Sequence, residues 1–182
     1  MIVPARIRRV LVPALAVVAA TGACLLAVLA WTVNAPRSDA GGKTDVLLVL
    51  GPSTPARLSV AEDLMSRAEA DVMVVSAHPS DTLWEVPKPC RGGMPYPVYC
   101  FDPSPATTQG EARSVAQLMR EHGWSSVRAL TYTPHVERAR ILLERCIAGE
   151  VKMQEVRQPY DRWYQLAYQG GGYAKTFARW GC

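Results

Sequence analysis

The chain lacks the short signatures that identify several large enzyme classes. It has no G-x-G-x-x-G, no G-x-x-x-x-G-K-[ST] and no G-x-S-x-G, so dinucleotide-binding, P-loop and nucleophile-elbow readings lose their usual support. Histidine occurs only at His78, His122 and His135, without HExxH spacing, and the cysteines show no CxxC. No metal site is therefore expected, and no cofactor is indicated. His122, directly before Gly123, reads as the carboxyl end of a helix. Acid is missing from the first thirty-six residues, whose only charges are Arg6, Arg8 and Arg9. Setting these aside leaves 17 basic against 16 acidic residues, so the formal +4 falls to +1, and no electrostatic case for nucleic acid survives.

What is present suffices for one domain with a packed core: 182 residues, 49% hydrophobic and 20% charged. The apolar residues are unevenly spread. Residues 10–31 carry no charged side chain, and twenty-two positions in a helix rising 1.5 Å per residue span a hydrocarbon core about 30 Å thick. Three arginines precede this run and only Arg37 and Lys43, near Asp39, follow it, which puts the amino terminus in the cytoplasm and everything from about Asn34 outside. An uncleaved signal anchor is favoured over a signal peptide, whose apolar core is about 7–15 residues. Val33, Asn34 and Ala35 imitate a cleavage site only loosely. A lipoprotein site at Cys24 is disfavoured by the seven apolar residues beyond it. The expected organisation is a basic flank over 1–9, a transmembrane helix over 10–33, a flexible linker over 34–44 and an extracytoplasmic domain over 45–182.

Cysteine usage agrees with an outside location. With Cys24 in the apolar run, Cys90, Cys100, Cys146 and Cys182 form an even set with three pairings open. The Gly and Pro between Cys90 and Cys100 suit a turn and favour that pair, and Cys146 with Cys182 would tie the chain end to a helix. Four free buried thiols are the alternative for a cytosolic domain.

Beyond residue 44, short apolar runs alternate with helical periodicity. Residues 45–50, 71–75, 127–131 and 151–156 read as strands, with 98–101 as a further candidate. The first two are almost wholly apolar, as parallel strands covered on both faces require. Leu58, Ala61, Leu64, Met65 and Ala68 share one helical face; so do Ala112, Val115, Ala116 and Met119; so do Val136, Ala139, Leu142, Leu143 and Cys146. The fold class implied is an α/β three-layer sandwich with a mainly parallel sheet and right-handed crossovers. Residues 160–180 read as helical but interrupted at Gly170, Gly171 and Gly172. The Pro-rich stretch 77–97 has little periodicity, and loops of this length tend to be functional or mobile.

Ligands of open parallel sheets bind at the carboxyl ends of strands, where helix amino termini also point. Three such ends are chemically rich. Gly51 lets a ligand approach the backbone, Ser53 or Thr54 caps a helix beginning at Pro55, and Arg57 on its first turn can fork onto an oxyanion. A plain helix start with a solvated arginine explains the same residues. Thr108 and Glu111 have capping-box spacing, which needs no substrate, although the carboxylate could also face a cleft. At the third end a strand closes on Thr131, Thr133 is a natural cap, Pro134 suits the first helical position, and His135 and Arg138 share a face. The helix dipole favours a neutral His135, able to act as base or hydrogen-bond partner beside a permanently charged Arg138; a partly exposed His and a surface ion pair is the structural alternative.

In this order the motifs resemble the YdcF-like family, which includes the SanA and ElyC envelope proteins. The match runs from Asp45 and Gly51 through Arg57, Leu58 and Ala61, then Ser76, then Thr108, Glu111 and Ala112, to Thr131, His135, Arg138 and Ala139. It covers about residues 45–182, and Thr-x-x-x-His-x-x-Arg-Ala is its most specific part. The resemblance implies a Rossmann-like domain behind one membrane helix, linked to cell-envelope integrity and to peptidoglycan or lipid-carrier metabolism. It puts the family's polar positions at Arg57, Ser76, Thr108, Glu111, His135 and Arg138. After Ser76 the family usually has Gly-Gly, where this chain has Ala77 and His78, and the acid before Thr-x-x-Glu corresponds to Asp102.

The expected partners are the membrane and an anionic small-molecule or lipid-linked envelope ligand. As an enzyme, the domain would grip the anion with Arg57 and Arg138, use His135 as acid or base and orient it with Glu111. As a binding or regulatory module, the same pocket would sense a metabolite or the domain would dock a partner protein.

Overall fold

The computed structural model describes residues 5–39, 41–77, 86–179 and 181–182. Helix α1 (Ala5–Asn34) contains Leu11–Asn34, long and apolar enough to cross a membrane, and the most apolar stretch of it is not buried against the domain.

Five strands follow, β1 (Thr44–Val49), β2 (Ala70–Ser76), β3 (Val98–Phe101), β4 (Ser126–Tyr132) and β5 (Glu150–Val156). Four more helices accompany them, α2 (Pro55–Ser66), α3 (Thr108–His122), α4 (Val136–Cys146) and α5 (Arg162–Ala178). The sheet is all-parallel, in the order β3-β2-β1-β4-β5. This is the expected α/β Rossmann-like sandwich. Alternation along β1 builds both faces: Val46, Leu48 and Leu50 meet α3 and α4, while Leu47 and Val49 meet α2. β1 lies between β2 and β4, so the chain's crossovers leave in opposite directions from the β1–β4 pair, which is the topological switch point of the sheet.

Three local expectations change. Ala68, expected on the buried face of α2, lies beyond its end with φ 54°. The residues between α1 and β1 are not a loose tether. Buried Arg140 holds Asp39 Oδ2 at 2.6 Å and the Arg37 carbonyl at 2.6 Å, and Asp39 also accepts from the Met153 amide at 2.7 Å. Helix α5 runs unbroken through Gly170, Gly171 and Gly172; Gly170 packs close to Leu29 and Gly172 against Arg138, while Gly171 faces open space. Of the Pro-rich stretch, residues 78–85, His78 among them, lie outside the described residues. The remainder carries a 3-10 turn, Lys88–Arg91, held by the Cys90–Cys100 disulfide. A second disulfide joins Cys146 to Cys182, so both favoured pairs form. His122 closes α3 before Gly123, as its position suggested, and stacks on Trp124 with centroids 4.4 Å apart.

Candidate functional site

The carboxyl ends of β1 and β4 and the first turns of α2, α3 and α4 converge at the switch point. Thr54 caps α2 with Pro55 in the first turn, as read from the sequence. Arg57 does not project outward from that turn. It is buried, its Nη1 donates to the carbonyls of Leu50 (2.8 Å), Gly51 (3.0 Å) and Pro52 (2.9 Å), and its guanidinium lies 5.1 Å from the centroid of the Tyr132 ring. It therefore fixes the loop after β1, with the aromatic face as a second partner for its charge.

The capping box expected at the start of α3 does not form. Thr107 is the cap, accepting from the Gly110 amide at 3.1 Å, and this shift of one residue releases both members of the predicted pair. Thr108 Oγ1 lies 3.2 Å from His135 Nε2, and buried Glu111 accepts the Gly51 amide at 2.7 Å. The same helix start thus braces the β1 loop and meets the β4 loop.

After β4, Thr133, Pro134 and His135 form a 3-10 turn before α4, and Thr133 donates to Glu155 at 2.7 Å instead of capping the helix. His135 is only 5% exposed, and its Nδ1 has no hydrogen-bond partner among the described residues. Burial holds its pKa well below the ordinary 6.5, Arg138 and then Arg57 push the same way, and Gln169 opposes them. The imidazole is therefore neutral, and in one tautomer Nε2 accepts the Thr108 proton, while in the other it donates to that oxygen.

Arg138 is partly buried, and its Nε donates to Gln169 at 2.8 Å. Among the described residues it has no carboxylate partner in an ion pair. Burial lowers its pKa below the ordinary guanidinium value, countered by the fields of Tyr168, Tyr132, Tyr173 and Glu111. Gln169 is fully buried and also donates to Tyr132 Oη (3.2 Å) and Gln165 (3.1 Å). Tyr132, Gln165 and Gln169 were not singled out from the sequence. The signal was the i, i+4 spacing of the two glutamines on α5, which ordinarily reads as a solvated face.

A cleft of about 440 Å³ opens beside this cluster, walled by Thr107, Thr108 and Gln109 on one side and by Arg138 and α5 on the other. Among the described residues its wall carries Arg138, Lys175 and Arg179 and no acid. Of the residues read from the sequence, Thr108 and Arg138 line this cleft. His135 stands behind Thr108, Glu111 behind Gly51, and Arg57 beneath the β1 loop. Ser53 is buried in that loop, and Thr131 is buried at the end of β4 with no hydrogen-bond partner for Oγ1 among the described residues. Ser76 is buried at the end of β2, the strand next to β1.

No protein-family model, curated protein or solved structure matches this chain.

Proposed function

We propose that this is a cell-envelope protein, anchored by α1 with its amino terminus in the cytoplasm and its domain outside, that binds an anionic, phosphate-bearing envelope precursor in the cleft beside Arg138. The disulfides and the basic amino-terminal flank support that orientation. The resemblance to the YdcF-like family supports the same setting, in peptidoglycan or lipid-carrier metabolism. The observation that carries the binding reading is Arg138 itself. It is a guanidinium oriented by Gln169 through Nε, without an acidic partner among the described residues, in a cleft whose other charged groups are Lys175 and Arg179. An oxyanion there would gain charge-assisted hydrogen bonds in a partly desolvated place.

The Thr108–His135 pair gives this cleft a group that moves a proton. His135 Nε2, neutral, accepts the hydrogen bond of the Thr108 hydroxyl and is placed to serve as its general base, while the Arg138 guanidinium holds the ligand anion. A second reading, a non-catalytic sensor, is favoured by a different observation: Glu111 accepts the Gly51 amide behind the cleft, and among the described residues the wall carries no carboxylate to complete an acid–base pair.

The test is binding of inorganic pyrophosphate to the full chain in detergent. Arg138→Gln is expected to weaken it at least about tenfold, the loss of one charge-assisted contact worth about 1.5–3 kcal/mol. Unchanged affinity in a folded variant would sink the site. His135→Gln, retaining binding, should abolish complementation of an envelope defect if the pair is catalytic and preserve it if the module only senses.

A further inference from the structure

Helix α5 is built the wrong way round for a surface helix in water. Its inward stripe is polar, with Gln165, Gln169 and Thr176 buried. Its outward half carries Trp163 (83% exposed), Tyr164 (61%), Tyr168 (53%) and Phe177 (51%). An ordinary surface helix buries its apolar stripe and shows charge to solvent. Among the described residues outside α1, these four rings and Val86 are the exposed large hydrophobics. No acid occurs from Arg162 to the chain end, whereas Arg162, Lys175 and Arg179 are basic.

The position of α5 identifies what covers this face. The helix lies across the last turns of α1: a Cβ on Gly170 would stand 3.4 Å from Leu29 Cδ2, and Tyr160, just before α5, donates from Oη to Asn34 Oδ1 at 3.4 Å. These residues of α1 are the end of the apolar span, where Trp31 is itself 70% exposed. The rings of α5 therefore continue the apolar surface of α1 at the level where that helix would leave the hydrocarbon. Trp and Tyr favour that layer, and cations without acids suit anionic headgroups.

We infer that α5 is an interfacial helix, lying in the headgroup layer of the bilayer with Trp163, Tyr164, Tyr168 and Phe177 turned into it. The inference rests on α1 as an anchor, as proposed above. It gives the cleft a direction. Tyr168 and Lys175 of α5, and Arg179 capping its carboxyl end, also line the cleft, so the mouth opens at the headgroup plane, and an anion carried on a lipid reaches Arg138 without leaving the membrane surface.

Trp163 and Trp31 supply the test. The full chain is reconstituted in vesicles of phosphatidylcholine and phosphatidylglycerol with brominated acyl chains, and the Trp163 signal is the difference between wild type and Trp163→Phe. That signal is expected to fall about twofold with brominated lipid and to resist aqueous iodide. Replacing phosphatidylglycerol by phosphatidylcholine should weaken the quenching. Trp31, read with Trp31→Phe, reports the anchor separately. If bromine reaches Trp31 but not Trp163, and iodide quenches Trp163, α5 faces water and the inference is overturned while the anchor stands. If bromine reaches neither, both fail. If Trp163 resists bromine and iodide alike, a second copy or another protein covers the face, which also overturns the inference.

Discussion

Burial, then Arg138, then Arg57 disfavour a proton on His135, so the folded domain keeps this imidazole neutral, whereas the unfolded chain protonates it below about 6.5. The sign of the pH effect follows. Above that value the two states bind the same number of protons here and His135 contributes no slope. As pH falls below it, the unfolded state alone takes up a proton, and stability is lost at up to about 1.4 kcal/mol per pH unit until the depressed folded pKa is reached. His135→Gln should abolish that component. Thermal midpoints of both chains measured from pH 8 to pH 5 should diverge in slope only on the acid side; parallel curves would show that the imidazole is solvated. The helix dipole and the i, i+3 spacing of Arg138 made the neutral state foreseeable, but burial is the largest cause, and neither burial nor the approach of Arg57 is visible from spacing along the chain. Arg57 shows the same limit. Its place on the first turn of α2 was legible, while the three carbonyls that absorb its Nη1 come from a loop whose path only the folded chain defines.

At the level of elements, the apolar runs of β1 and β2 were readable because a strand covered on both faces tolerates almost no polar side chain. The start of α3 was less so. Thr107 and Thr108 both offer a hydroxyl to a helix end, and the choice of Thr107 decides whether Thr108 is a cap or a cleft residue. Glycines in helices were misleading for a physical reason: in isolation each costs about 1 kcal/mol against Ala, so three together read as a break. Two of the helical glycines make opposite predictions. A Cβ on Gly110 would run into the backbone carbonyl of Pro105, which cannot swing away, so Gly110→Ala should destabilise by about 1–3 kcal/mol. A Cβ on Gly172 would meet Arg138 at Nε (2.8 Å) and Cδ (2.9 Å), the far part of a flexible side chain. Gly172→Ala should therefore leave stability unchanged or raise it by up to about 1 kcal/mol. It should also displace Arg138 from Gln169 and weaken pyrophosphate binding. Thermal unfolding and titration of the same samples separate the outcomes; an unaltered affinity in Gly172→Ala would mean that the orientation of Arg138 is irrelevant to the ligand.

Over the whole molecule, the cleft is a joint between parts distant in sequence, and its α5 wall is held from both ends. At one end Asp161 caps the helix by accepting the Tyr164 amide, and Tyr160 reaches Asn34 of α1. At the other, Cys182 is tied to Cys146 at the end of α4, the Cys182 carbonyl accepts from Arg113, and the Gly181 carbonyl accepts from Gln109 of α3. The two disulfides therefore differ in consequence as well as in size. Cys146–Cys182 spans a separation of 36 residues that includes β5 and all of α5, and loop-closure entropy assigns it about 4 kcal/mol. Cys90–Cys100 spans 10 residues at the β3 edge of the sheet, worth about 3 kcal/mol on the same basis. Replacing either pair by Ser should lower the unfolding midpoint by similar amounts. Only the Cys146→Ser, Cys182→Ser chain should also lose pyrophosphate affinity at temperatures where both chains remain folded, because Lys175 then lies on a helix freed at its carboxyl end, where Arg179 caps it. Equal affinities for the two double variants would show that the α3 contacts hold that wall without the disulfide.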